Sequence, residues 1–204
     1  MINKIFVYED IYLYKGDEYN KDSVKLLLDK LKYRRKIILM AEDILIKSYN
    51  YSGNNVDKFI QDKINQDFNN KENLLFHFEV DKENKSVYLY SIRNSIRNLY
   101  KDTKKLKIEL IQFKVRDYLK RKFKEYINSL VIFKIKEEIY AIKIKSGLII
   151  DTIINKDINI INDYIIKEKN NGYILIKDSN FNYDENISFD YNIDMGVVTY
   201  EKIC

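Results

Sequence analysis

The sequence predicts an α/β protein, because strand-like alternation and helical periodicity are interleaved along its 204 residues. A strand hairpin is indicated near residue 4 and again near residue 130, and each hairpin is followed by a helix and a further strand. The two halves share negligible sequence similarity, so this repetition predicts a duplicated topology rather than a sequence repeat.

The first half begins with a predicted hairpin over 4–15 that turns at Glu9-Asp10. A helix from Asp22 or Ser23 to Lys32 follows, because its leucines and Val24 recur on one face. The continuous apolar run Lys36–Ala41 is typical of a strand buried in the centre of a sheet.

The middle of the chain predicts a strand, a helix and a hairpin in succession. The strand covers 44–51, the helix opens at Asn54-Asn55, and the hairpin joins 73–81 to 85–92. A helix over 95–104 and a strand over 106–113 are predicted next.

The second half opens with an amphipathic helix over 114–128, with Leu119 and Phe123 predicted in the core and Lys120 and Lys124 exposed. The remaining predicted elements are strands over 129–136, 138–145 and 147–154, a helix ending near Lys169, a strand over 173–177 and an irregular segment over 178–193.

Composition excludes several classes of protein. A hydrophobic content of 46% with 14% aromatic residues is too apolar for a disordered chain. Cys204 is the only cysteine, so an internal disulfide is impossible and a cysteine metal site is not expected. No apolar run approaches the roughly 18 residues of a membrane span. We therefore expect a cytoplasmic protein.

The turns of the two hairpins argue against nucleotide chemistry. A phosphate-binding turn presents backbone N–H groups, and glycine permits the close approach. The first turn carries Glu9-Asp10, and the second carries Lys136-Glu137-Glu138. We expect no cofactor, no metal and no enzymatic activity.

Other candidate groups have simpler interpretations. His77 alternates with apolar neighbours and has no partner visible in the sequence, so a structural role is favoured over catalysis. Asp194-Met195-Gly196 with Thr199 resembles a phosphate hairpin, but a closing turn fits its place near the end of the sequence better.

A basic stretch over 93–124 is the best candidate for binding a partner. Its helical part places Lys114, Arg116, Lys120, Arg121 and Lys124 opposite the apolar stripe. Such a face can bind anionic lipid head groups or nucleic acid phosphates, but an ordinary solvated surface is the favoured interpretation.

The order of elements resembles the PilM-type actin-like proteins of type IV pilus machinery and the cytoplasmic domain of the type II secretion protein GspL. The strand Ile37–Ala41 stands where that family has an apolar-Ala-Leu-Pro strand, and Asp194–Val198 resembles its closing segment. The resemblance implies a shortened, degenerate actin-like (ribonuclease-H-like) fold. It implies a first lobe of about 1–41 and 93–128, an inserted subdomain of about 42–92 and a reduced second lobe of about 129–204.

The resemblance also implies a function. It predicts a non-catalytic scaffold at the inner membrane that docks the cytoplasmic tail of a membrane partner in a pilus or secretion machine. Membrane association would then be indirect, a homodimer is compatible, and no nucleic acid is expected. The alternative hypothesis is a nucleic-acid-binding module that uses the 93–124 stretch.

Overall fold

The computed structural model of the protein describes residues 2–100, 102–123, 128–183 and 187–196. It divides into two compact units, of which the first combines residues 1–42 with 98–204 and the second comprises residues 43–97. The first unit contains two five-stranded sheets and the second a three-stranded sheet.

The helices and strands of the described residues are numbered along the chain. They are β1 (Asn3–Tyr8), β2 (Ile11–Tyr14), β3 (Asp17–Tyr19), α1 (Val24–Lys30), β4 (Arg34–Leu39), β5 (Leu45–Asn50), α2 (Val56–Asp67), β6 (Leu74–Asp81), β7 (Ser86–Arg93), β8 (Lys105–Leu110), α3 (Ile111–Phe123), β9 (Ser129–Ile135), β10 (Glu138–Lys145), β11 (Leu148–Asn155), α4 (Ile158–Asn170), β12 (Ile174–Asp178) and β13 (Tyr191–Ile193). Two short 3-10 helices cover Lys71–Asn73 and Arg97–Tyr100.

The two sheets of the first unit repeat one topology. The first has the order β3-β2-β1-β4-β8 and the second the order β11-β10-β9-β12-β13. In each, three antiparallel strands are followed by two strands parallel to the first of them. The duplicated topology predicted from the sequence is therefore confirmed.

Apolar runs occupy the centre of each sheet. Ile37, Ile38 and Leu39 of β4 are fully buried, as the continuous run in the sequence predicted. Leu130–Phe133 of β9 are equally buried. Both faces of these central strands are covered, which is why their hydrophobic residues are consecutive rather than alternating.

The second unit packs one helix on one face of its sheet. Strand order is β5-β7-β6, and α2 places Ile60 and Ile64 against Val87 and Leu89. The helix begins where the sequence predicts, because the Asn55 side chain accepts a hydrogen bond from the Lys58 N–H.

Three local predictions are wrong. The segment predicted as a helix over 95–104 forms only the 3-10 turn Arg97–Tyr100, in which Leu99 alone is buried, so it lacks the apolar stripe that stabilises a longer helix. The edge strands β3 and β13 were not predicted, because each has only three residues and is mostly polar. Helix α3 begins at Ile111 rather than Lys114.

The core side of α3 is only partly as predicted. Leu119 is buried, whereas Phe123 is half-buried and meets Tyr191 edge to face, with 5.1 Å between ring centroids. Lys120 is half-buried rather than exposed, and Lys124 lies outside the described residues. Leu119 therefore anchors this helix.

Replacing Leu119 with alanine should lower the free energy of unfolding by about 2–5 kcal/mol, because it leaves a cavity. Phe123→Ala should cost less, since part of the ring is already in water. Lys122→Ala on the exposed side is the control and should change stability by less than about 0.5 kcal/mol. Urea denaturation of the three variants measures this, and equal losses for Leu119→Ala and Lys122→Ala would contradict the packing.

A buried ion pair joins α4 to the second sheet. Lys143 Nζ lies 2.5 Å from Glu168 Oε2, and the Glu168 side chain is almost fully buried. Burial raises the pKa of Glu168, but the hydrogen bonds from Lys143 and Asn171 outweigh this effect and hold the pKa below its ordinary value. The ionised carboxylate is therefore the form that the fold stabilises.

This pair predicts a specific acid sensitivity. The lowered pKa stabilises the fold at neutral pH, and that contribution is lost as the pH falls through the pKa of Glu168 in the folded protein. Lys143→Met should cost about 3 kcal/mol at neutral pH, because it leaves a buried charge without its partner. The difference between wild type and variant should shrink as Glu168 protonates, and a difference that is constant from neutral pH to the acid transition would refute the assignment.

Candidate functional site at the facing hairpin turns

The two hairpins of the first unit have the same turn geometry. The pairs Tyr8–Ile11 and Ile135–Glu138 close two-residue turns. The first turn residues, Glu9 and Lys136, both have positive φ, at 51° and 54°. This conformation favours glycine. A phosphate-binding turn would have glycine at such a position. Here a glutamate and a lysine side chain occupy these positions instead.

The side chains of the two hairpins contact one another. Lys136 Nζ lies 4.4 Å from the centre of the Tyr8 ring. The Tyr8 hydroxyl also forms a hydrogen bond with the Glu138 carboxylate. Burial and the charge of Glu138 are the main causes that raise the pKa of Tyr8 to about 12. Tyr8 is therefore a neutral hydrogen-bond donor at physiological pH.

A second tyrosine ties β10 to the end of β4. Tyr140 is fully buried and donates its hydroxyl hydrogen bond to the backbone carbonyl of Met40, with Glu138 Oε2 3.4 Å away. Its ring stacks on Phe133 at a centroid distance of 4.8 Å. Aromatic side chains thus fill the space behind the two turns.

This arrangement is chemically unsuited to polyphosphate. The turns present the carboxylates of Glu9, Glu137 and Glu138, which repel phosphate, and the nearby cation Lys136 lies over an aromatic ring. What the site does provide is a rigid junction between the two sheets, built from stacked rings and charged hydrogen bonds.

The Asp194-Met195-Gly196 segment uses its carboxylate locally. Asp194 Oδ1 accepts hydrogen bonds from the Gly196 N–H at 2.8 Å and from Asn180 Nδ2 at 3.0 Å. Asp178 Oδ1 accepts from the Met195 N–H in the same knot. This is the closing turn that the sequence favoured, and Thr199 lies outside the described residues.

His77 lies in the second unit, on β6. Its side chain is mostly exposed, stacks beside Tyr90 and has Nε2 4.0 Å from Glu79 Oε1. Within the residues that the structure describes, no group of three His, Cys, Asp or Glu side chains is placed to hold a metal ion. The structural role of His77 stays a prediction.

The five basic residues predicted on one helix face are not equivalent. Arg121 is exposed, and its Nε donates to the Asp117 carbonyl at 3.2 Å. Lys114 and Lys120 are half-buried. Lys124 lies outside the described residues.

The predicted exposure of Arg116 is wrong. Its side chain is only 8% exposed, forms an ion pair with Asp117 at 2.8 Å and lies over the Phe113 ring at 4.7 Å. Helical spacing explains this, because position 116 follows Gln112 by one turn and precedes Leu119 by nearly another, and both are buried. Arg116 is a structural residue.

The important residues that sequence analysis missed are Tyr8 and Tyr140. Both lie at strand positions where a tyrosine is unremarkable in a chain with 18 tyrosines. The available signal was indirect, namely the bulky charged residues at both turns, which indicated that the space was not reserved for phosphate.

Comparison by sequence gives no relative. No protein-family model matches the chain, and no curated protein matches it. Similarity becomes visible only at the level of three-dimensional structure.

Comparison by structure finds actin-like proteins. A Bacteroides thetaiotaomicron VPI-5482 protein of unknown function with an actin-like ATPase fold matches with a TM-score of 0.57 at 11% identity, over 88% of this chain and 82% of that one. The cytoplasmic domain of EpsL, an inner membrane component of the type II secretion system of Vibrio cholerae, matches with a TM-score of 0.56 at 10% identity, over 98% and 93%.

A third match is to a chain of the PilM–PilN type IV pilus biogenesis complex. Its TM-score is 0.51 at 6% identity, over 83% of this chain and 66% of that one. The three matches confirm the predicted actin-like fold and the predicted similarity to proteins of pilus and secretion machines. Among the described helices, none is long and apolar enough to cross a membrane.

Mg-ATP should not stabilise this protein. A nucleotide present at about 100 times its Kd would add about 2.7 kcal/mol to the unfolding free energy by mass action. For a chain of this size that corresponds to a Tm increase of roughly 5–10 °C. We expect a shift below about 1 °C with millimolar Mg-ATP in differential scanning fluorimetry, because the turns offer no phosphate site. A saturable, magnesium-dependent increase would contradict the chemistry assigned to the turns.

Proposed function

We propose that the chain is a non-catalytic cytoplasmic scaffold in a type IV pilus or type II secretion-like machine. In this role it lies at the inner membrane and docks the cytoplasmic tail of a membrane partner. The fold that it shares with the EpsL cytoplasmic domain and with a chain of the PilM–PilN complex supports the proposal.

The contact between the two hairpin turns carries the non-catalytic part of the proposal. A nucleotide-driven cycle needs turns that bind phosphate and two sheets that can separate around it. In this chain the Tyr8 ring, the Lys136 ammonium and the Glu138 carboxylate join the turns directly. Opening them would expose a buried ring and break a hydrogen bond to a charged group.

A rigid junction suits a scaffold. A docked peptide gains affinity from hydrogen bonding to a strand edge or from side chains in a groove, and both modes require a surface that keeps its shape. The buried Tyr140 bond to Met40 and the Lys143–Glu168 ion pair fix the second sheet on either side. Partner binding then costs little reorganisation of the protein.

The proposal predicts a specific membrane partner. Chemical cross-linking in native cells followed by capture should recover an inner-membrane protein with a short cytoplasmic tail. A synthetic peptide of that tail should bind the purified protein, and its Kd should change by less than about tenfold between low and physiological salt, because docking by apolar side chains and backbone is weakly screened.

A charge reversal separates this role from nucleic acid binding. The double variant Lys120→Glu/Arg121→Glu should weaken membrane recruitment only in part. The Kd for the tail peptide should change by less than about threefold, because few contacts between cations and phosphate groups are involved. The charge-matched control is Lys58→Glu/Lys82→Glu, whose two lysines lie in the second unit. If the wild type instead binds DNA or RNA at physiological salt and only the first variant abolishes this, the nucleic-acid module replaces the scaffold.

A further inference from the structure

One face of the first sheet carries two rows of basic side chains. The register pairs Lys4 with Lys36 and Lys36 with Lys107. Two residues nearer the beginning of β4 and β8, it pairs Arg34 with Lys105. Residues two apart on a strand share a face, so all five cations lie on the same side. Neighbouring rows are about 7 Å apart and neighbouring strands about 4.8 Å apart.

Acidic residues neutralise these rows only in part. Glu109, in the row beyond Lys36 and Lys107, bonds both of them, at 2.9 and 2.6 Å. The pKa of Lys107 is raised mainly by its hydrogen bond to Glu109 and the charge of that group, and to a smaller extent by Asp117 of α3. Lys107 is still 66% exposed. Within the three rows, the register places one carboxylate, Glu109, beside five cations.

The described residues leave the start of this face, with Arg34 and Lys105, exposed. Helix α1 packs on the opposite face, where Lys30 Nζ bonds Asp17 Oδ2 and Tyr19 Oη. Farther along β1 and β4 on the basic side, Phe6 and Ile38 are buried. The face is therefore apolar and buried towards the ends of these strands. At their starts it is basic and accessible, because Arg34 and Lys105 are exposed there.

We propose that this face binds the surface of an anionic phospholipid membrane. Its cations stand on three parallel strands of one sheet, a broad arrangement that lets several of them meet head-group phosphates at once. Ile2, directly before β1, and Tyr33, directly before β4, are 56% and 59% exposed at the same end of the strands. Apolar and aromatic side chains beside cations are typical of groups that enter a membrane interface.

The same face is poorly suited to nucleic acid. Single strands are bound by bases stacked on exposed aromatic rings, whereas Phe6, the aromatic residue of the three rows, is buried. Sequence-specific readout of duplex DNA usually places a helix or a two-stranded ribbon in a groove, whereas these cations stand on three neighbouring strands of a five-stranded sheet.

Arg121 of α3 adds to this surface. Asp117 acts electrostatically on Lys107, so the helix lies beside the basic rows, and Arg121 follows Asp117 by one turn. The proposal of a membrane-binding face rests on the proposed function, which places the protein beside the inner membrane. Its test uses lipid and purified protein without any partner, so the two can fail separately.

The experiment measures co-sedimentation of the full chain with vesicles. Vesicles of phosphatidylcholine alone are compared with vesicles containing about one third phosphatidylglycerol, at about 0.05 M and about 0.5 M salt. The test variant is Arg34→Gln/Lys105→Gln/Lys107→Gln, which leaves the Lys36–Glu109 pair in place. The control, Lys58→Gln/Lys82→Gln/Lys145→Gln, removes three exposed cations elsewhere and has the same net charge.

We expect binding to the anionic vesicles only, and loss of this binding at high salt. Each cation near an anionic surface contributes a factor of about five, so the test variant should bind about 100-fold more weakly. The control should stay within about threefold, because its cations lie away from the contact, and unchanged Tm values establish that both variants are folded.

Three results would overturn the assignment. Equal losses in the test and control variants would mean that net charge, rather than this face, attracts the vesicles. Absence of wild-type binding at low salt would exclude a membrane surface as the ligand, and so would displacement from vesicles by an oligonucleotide that itself binds through Arg34, Lys105 and Lys107. None of these results would affect the binding of a partner's tail peptide.

Discussion

The hydrogen bond from the buried Tyr140 hydroxyl to the Met40 carbonyl joins the two sheets of the first unit at the end of β4. Met40 follows the last residue of β4, and its carbonyl would otherwise be a buried acceptor, which costs about 1–3 kcal/mol when left unpaired. The stacked Phe133 ring and the Tyr8–Glu138 contact depend on the same placement of β10 against β4. Through Glu138, the contact between the two hairpin turns is connected to this bond.

Charge on this protein is divided between structure and surface. Arg116 and Lys143 have largely buried side chains, and each forms an ion pair with a carboxylate. Removing one partner of the buried Lys143–Glu168 pair is strongly destabilising, because it leaves an uncompensated buried charge. Lys107 and Arg121, by contrast, remain exposed at the surface.

Much of the fold could be predicted from the sequence, because its strongest elements are long and regular. The run Lys36–Ala41 and the hairpin strands near 130–145 contain enough apolar residues to define themselves. Strands β3 and β13 could not be predicted, since a mostly polar segment of three residues becomes a strand only by pairing with a neighbour. The same limit applies to the site. Negative turns were visible in the sequence, whereas the burial of Arg116 and the rows of Lys4, Lys36 and Lys107 depend on tertiary packing and strand register.

The insertion of the second unit between β4 and β8 affects how the chain reaches its fold. The second sheet forms from the continuous segment 129–193, whereas Leu39 must pair with Leu110 across the whole of residues 43–97. Loop-closure entropy delays such a distant contact unless the intervening segment has already become compact. Residues 43–97 are a compact unit with their own buried cluster. Because Leu45 of β5 pairs with Ser91 of β7, the folded unit brings its own two ends together and so shortens the effective distance between β4 and β8.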